Sequence, residues 1–209
     1  MNLLIRFSKL LSYVLHPLLM PFYTILVLFN INTYLSFSIS PQLQQVILLV
    51  VFMTTLVFPL LSSVMLLQKG AIRSLEMESK EERRMPFLFA GVCYLVCFYL
   101  IYRLPVARVL SVMILAASAT IFLSWLLSYR YKISIHMIGI GGLTGVMYSV
   151  ARLFSADLTL MMVVCLLLSG LLGTARLSLG AHSPSQIYTG FLTGFLTEWL
   201  VVTGWTWLW

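Results

Sequence analysis

This sequence is short of charge. Only 9% of its 209 residues are Asp, Glu, Lys or Arg, against about a quarter in a water-soluble domain. Acidic side chains are scarcest, six in all, so no carboxylate cluster of the kind that holds a hard cation is expected. Cys93, Cys97 and Cys165 lie inside apolar runs; they build no disulfide framework and read as small buried residues. Histidine is limited to three residues. The 13 basic residues flank apolar runs instead of forming one tract, so the net charge of +7 does not indicate a nucleic-acid partner. What the chain has in plenty is apolar surface, 61% of residues with a mean hydropathy of +1.01. An all-α, polytopic transmembrane bundle is the expected fold.

Seven apolar segments stand out, near 8–28, 43–67, 86–103, 106–128, 136–153, 158–177 and 184–204. We therefore expect about six to seven spans in a single integral membrane domain over 1–209, with N-terminal spans in 1–67 and the last span ending near 204. The first segment has a basic start but a long apolar run and no small-residue cleavage site, and reads as a retained span. Pro17, Pro21 and Pro59 are expected to kink their helices. Gly139, Gly142 and Gly145 are expected to share a face, with Gly141 adding to it, and Gly190 and Gly194 lie four apart. Such spacings let helix backbones approach closely in lipid. Trp199, Trp205, Trp207 and Trp209 suit a helix leaving the bilayer.

Threading these spans puts three links on the side of the N-terminus: KGAIRSLEMESKEERRMP, SYRYKISIH and TARLSLGAHSPSQ. The opposite links are short. Arg84, Arg176, His136 and His182 thus gather at one face, with Lys80, Arg83, Arg130 and Lys132 nearby. Singly, each reads as a topology signal or a satisfied helix-end residue; the grouping is what points to chemistry. Two guanidiniums can hold a phosphate through charge-assisted hydrogen bonds. One imidazole can attack phosphorus while another handles the leaving-group proton. Gln186, four residues past His182, is placed to hold that ring's other nitrogen across one helical turn. His16, with no partner near it in sequence, stays outside this set. Glu198, an acidic residue inside the last span, is expected to have a partner within the bundle.

These residues resemble the signature of the type 2 phosphatidic acid phosphatases, a family of lipid and acid phosphatases. That signature is lysine, six residues and Arg-Pro; then Pro-Ser-Gly-His; then Ser-Arg, five residues, His, three residues and Asp. Arg176 and His182 keep the five-residue spacing of the third part. Ser134 and His136 match the second, and Arg84 and Pro86 the first, with one extra residue between them. The likeness covers roughly 76–195. It implies a core like that family's, with His182 as nucleophile, His136 as general acid, and Arg84 and Arg176 as phosphate ligands aided by Ser134. It implies no metal and no cofactor. The expected partners are a phosphorylated lipid and the surrounding membrane lipids; nothing bears on oligomeric state.

The chain departs from the pattern at informative places. Gln186 stands where the family has aspartate: its carbonyl can fix the tautomer of His182 but cannot stabilise an imidazolium by charge. Ala175 replaces serine, Ile133 proline and Ile135 glycine. Met77 stands at the motif lysine's position, and Lys80, one helical turn before Arg84, is the shifted candidate. The link from Lys69 to Pro86 fits either an amphipathic interfacial helix or a solvated tether. Ten basic residues on the site side against three opposite favour a cytoplasmic site in a multi-pass cell-membrane protein, whereas the resemblance implies an outward one. Phosphatidic acid, phosphatidylglycerol phosphate, lipid A phosphate and polyprenyl diphosphate all fit such a site.

Overall fold

The computed structural model describes residues 3–206 apart from 78 and 80, with Thr206 in its backbone only. Among the described residues the chain is helical with no strand, and 79% of it is helix. Five stretches are long and apolar enough to cross a membrane: Leu3–Asn30, Pro41–Gln68, Arg84–Tyr102, Arg108–Leu127 and Thr159–Ser178. They mark the chain as a membrane protein.

The first stretch is broken in the middle. Helix α1 (Leu3–Val14) ends before His16, a short 3₁₀ turn runs Pro17–Leu19, and α2 (Met20–Asn30) continues. Pro17 has no N–H to extend α1, and the His16 ring caps the new turn by accepting from the Leu18 N–H at 3.3 Å. A short α3 (Tyr34–Ser38) precedes the second stretch, where α4 (Pro41–Phe52) and α5 (Phe58–Gln68) are separated by a π-helical turn at Met53–Val57. Pro59 cannot donate to the preceding turn, and the freed geometry widens there. The hydroxyls of Thr54 and Thr55 bond to the carbonyls of Val50 and Val51 at 2.6 and 2.9 Å, so the widened turn stays satisfied.

Helices α6 (Arg84–Tyr102), α7 (Arg108–Leu127), α8 (Ile135–Leu153), α9 (Thr159–Ser178) and α10 (Pro184–Thr206) complete the bundle. Among the described residues α8 and α10 fall outside the five apolar stretches. Most of α8 is buried in protein, so glycine, serine and threonine can replace lipid-facing apolar residues. A Cβ on Gly145 would stand 2.5 Å from the Phe195 carbonyl oxygen, and one on Gly190 would stand 2.7 Å from that of Ser134. Gly141 and Gly194 are closer still to Phe191 and Ile138. The glycines of α8 do not share one partner: Gly139 meets Met20 and Pro17, while Gly142 meets Glu198.

One apolar core, with Leu28, Ile47, Val51, Ile101, Leu110 and Val150, joins most of the helices. A smaller one, with Leu15, Met20, Met137, Ile140, Leu172 and Ile187, underlies the starts of α8 and α10 and the end of α9. The link before α6 forms turns, with Ile72 buried in protein instead of facing lipid.

Candidate functional site

Hydrogen bonds tie three links to one another at the α8 and α10 starts. The Arg83 Nη1 donates to the Ile133 carbonyl at 2.9 Å, and its Nε donates to the Met77 carbonyl at 2.9 Å. The Ser134 N–H donates to the Gln186 carbonyl at 3.3 Å, and the Tyr131 hydroxyl to the Ser185 hydroxyl at 3.2 Å. Helix α1 closes the group from the side: Arg176 Nη1 donates to Ser12 Oγ at 3.3 Å, and His136 Nε2 pairs with the Ser12 carbonyl at 3.1 Å.

His182 precedes α10, and Gln186 is the third residue of that helix. Gln186 Oε1 reaches back to the Ser183 N–H at 3.2 Å, half of a capping box at the helix start. The same oxygen lies 3.0 Å from His182 Nδ1. An oxygen already accepting from a backbone N–H must also accept from the ring, so Nδ1 carries the proton and Nε2 the lone pair. Burial drives the His182 pKa down to about 4; the Gln186 bond opposes this, while Arg83, Arg176 and Lys132 add to it. At neutral pH the ring is uncharged.

The tautomer of His136 follows similarly. The Ser12 carbonyl can only accept, so Nε2 holds the proton. Nδ1 is buried without a protein partner. The His16 ring stands 5.7 Å from that of His136, edge to face. Arg176 acts electrostatically on His16, Arg83, His136 and His182, placing all five side chains in one field.

All of these but His182 border a cavity of about 1090 Å³, whose wall includes Lys9, His16, Arg83, Lys132, His136 and Arg176. Arg83 is only 4% exposed, and burial, with Arg176 next, lowers its pKa to about 10. Its hydrogen bonds go to backbone carbonyls, not to a carboxylate. Glu76, on the same wall, is an opposite charge felt by Arg176. Arg176 Nε is buried with no protein partner. The buried Arg83 and the half-buried Arg176, whose Nε is left over, present positive charge that favours an anion beside them.

The predicted site residues therefore divide. His136, His182, Gln186 and Arg176 come together. Arg84 does not join them: its guanidinium carbon stands 4.3 Å over the Tyr129 ring, and Arg83 faces the cavity in its place. Ser134 is fully buried beneath the Gly190 crossing and absent from the cavity wall, with its hydroxyl unpartnered. His182 also stands behind the wall, next to Ala181, which lines it. Lys80 lies outside the described residues. His16 and Ser12 enter the site without a sequence signal, through contacts that cross more than a hundred residues. No group of three or more His, Cys, Asp or Glu side chains suited to a metal ion occurs among the described residues.

No protein-family model, no curated protein and no solved structure matches this chain.

Proposed function

We propose that the protein is a membrane-embedded phosphatase that removes phosphate from a lipid or polyprenyl phosphate through a phosphohistidine intermediate. A divergent relationship to the type 2 phosphatidic acid phosphatases goes with this reading. So does a bundle of seven spans, α8 and α10 included, in a cell membrane with the site at the α1 end. The observation that carries the reading is the meeting of Arg83 and Arg176 with two histidines of fixed tautomer, His136 on the cavity wall and His182 just behind it.

In this mechanism Arg83 and Arg176 hold the phosphate and offset charge on its oxygens. His182 Nε2 attacks phosphorus as the bond to the leaving oxygen breaks. His136 Nδ1 takes the proton of a monoanionic phosphate ester and passes it to the departing alkoxide. Water then attacks the phosphohistidine, His136 Nδ1 accepts the water proton, and inorganic phosphate leaves. The arginines supply the positive charge, so no metal ion is required.

The test is phosphate release from a panel of phosphorylated lipids by the purified full chain, with EDTA present. Release that survives chelation and vanishes in His182→Ala, with acid-labile phosphate trapped on the wild-type protein, supports the mechanism. Unchanged release in His182→Ala sinks it. A second reading has one observation in its favour. Neutral Gln186 gives no charge stabilisation to His182, which suits a relative that binds or moves a phospholipid headgroup. Saturable lipid binding without turnover selects that reading.

A further inference from the structure

The cavity continues past the histidines into the bundle and ends near Glu198 of α10. This carboxyl was expected to have a partner within the bundle. Instead Glu198 is 4% exposed, and its Oε2 has no hydrogen-bond partner in the protein. Its Cγ lies 3.4 Å from where a Cβ on Gly142 would stand, so the missing side chain of Gly142 makes room for it. The carboxyl is then level with Gly142, six residues beyond His136. At 1.5 Å per residue that is about 9 Å deeper along α8.

The serine and threonine hydroxyls on this deep wall are satisfied by their own helices, and the Tyr94 hydroxyl pairs with Thr55. Thr24 bonds to the Met20 carbonyl at 2.8 Å, Thr120 to that of Ala116 at 2.9 Å, and Ser124 to that of Thr120 at 2.7 Å. Around them the wall is apolar, with Ile25, Phe87, Met113, Ile114, Leu143 and Val146. Glu198 is the polar group on this deep wall whose oxygen is left over. A buried carboxyl with an unmade hydrogen bond costs free energy that a ligand group can recover.

The cavity also reaches the lipid-facing surface. Tyr13 and Leu60 line it and are 66% and 43% exposed. They flank the two places where the helices are interrupted, the His16–Pro17 break and the Pro59 π-turn. An amphiphile entering there places its anionic group at the arginines and its apolar part inward.

We propose that Glu198 is a second hydrogen-bonding subsite, taking an acyl carbonyl of a phosphorylated lipid whose phosphate sits at Arg83 and Arg176. The inference rests on the phosphate site proposed above. In its uncharged form a carboxyl donates one hydrogen bond, and an acyl carbonyl is the acceptor that a lipid presents just beyond its phosphate. A glycerol-sized spacer plus an ester linkage matches the depth. Glu198 thereby separates acyl lipids from chains that carry no oxygen beyond the phosphate, such as polyprenyl or alkyl phosphates. It is a specificity residue and takes no part in the phosphoryl step.

The test uses two synthetic lipids with the same phosphoglycerol and chain length, one diacyl with ester carbonyls and one dialkyl with ether links. Affinities are read from tryptophan fluorescence of the detergent-solubilised full chain. The wild type is expected to bind the diacyl lipid about fivefold more tightly, the worth of one net hydrogen bond. Glu198→Leu loses that ratio, and Glu198→Gln, which keeps an N–H donor, retains it. A wild type that binds both lipids equally overturns the subsite, as does Glu198→Leu keeping the full ratio while folded by circular dichroism. Failure of the wild type to bind either lipid overturns the phosphate site itself, and the subsite with it.

Discussion

Replacing Gln186 with glutamate puts a negative charge where the neutral amide oxygen now holds His182. The two side chains are nearly isosteric, so Oε1 keeps its place 3.0 Å from Nδ1 and 3.2 Å from the Ser183 N–H. Two unit charges about 4 Å apart attract by about 4 kcal/mol at an effective dielectric constant of about 20. Taking the new carboxylate out of water consumes part of that. A net gain of about 3 kcal/mol corresponds to about two pKa units, which moves His182 from about 4 to about 6. If His182 is the nucleophile, positive charge develops on its ring as it attacks phosphorus, and the same charge lowers that barrier. We expect phosphate release at pH 8, where the ring is neutral in both proteins, to rise by at least tenfold. The acid limb of the pH–rate profile should shift from near 4 to near 6. The assay is initial-rate phosphate release from a lipid phosphate in mixed micelles between pH 3.5 and 9. An acid limb that stays in place and a rate that does not rise refute a nucleophilic role for His182.

Arg83→Ala and Arg84→Ala should differ sharply. The first removes a buried cation with two backbone hydrogen bonds and should abolish phosphate release. The second loses one cation–π contact of about 0.5–1 kcal/mol and should leave KM within about threefold, both read in the same assay. Gly194→Ala forces a methyl group onto the Ile138 carbonyl, a backbone atom that cannot step aside, and should lower the thermal midpoint in detergent by several degrees. Gly170→Ala, with nothing within 4 Å, should leave the midpoint unchanged or raise it. His182 binds fewer protons folded than unfolded between its unfolded value of about 6.5 and its folded value of about 4. Stability should therefore fall as pH drops through that window, and His182→Asn should flatten that part of a stability–pH curve.

Apolar runs and glycine spacing made the helices legible, because in lipid the only demand on a spanning segment is that its backbone be satisfied internally. Break points were legible where proline removes a donor, at Pro17 and Pro59. The number of apolar spans was less so. Hydropathy reports what a helix shows to lipid, and α8 and α10 meet closely along the stripe of Gly141, Gly145, Gly190 and Gly194. A helix at the centre of a bundle can carry Ser149, Thr144 and Glu198 because neighbouring helices, not lipid, surround those positions.

The site was legible where its contacts are local. The His182–Gln186 pair spans one helical turn, and four-residue spacing on a helix start is readable from any sequence. The choice between Arg83 and Arg84 is not, since adjacent residues at a helix start point about 100° apart, and only the Met77 and Ile133 carbonyls decide which one turns inward. His16 shows the limit more clearly. Its neighbours in sequence are apolar or proline, and its own ring nitrogen is committed to capping the next turn. Its place beside His136 comes from the break that Pro17 imposes on the first stretch and from the Met20–Gly139 contact that seats the break on α8. The proline that reads as a helix defect in the sequence is what delivers a second imidazole to the cavity wall.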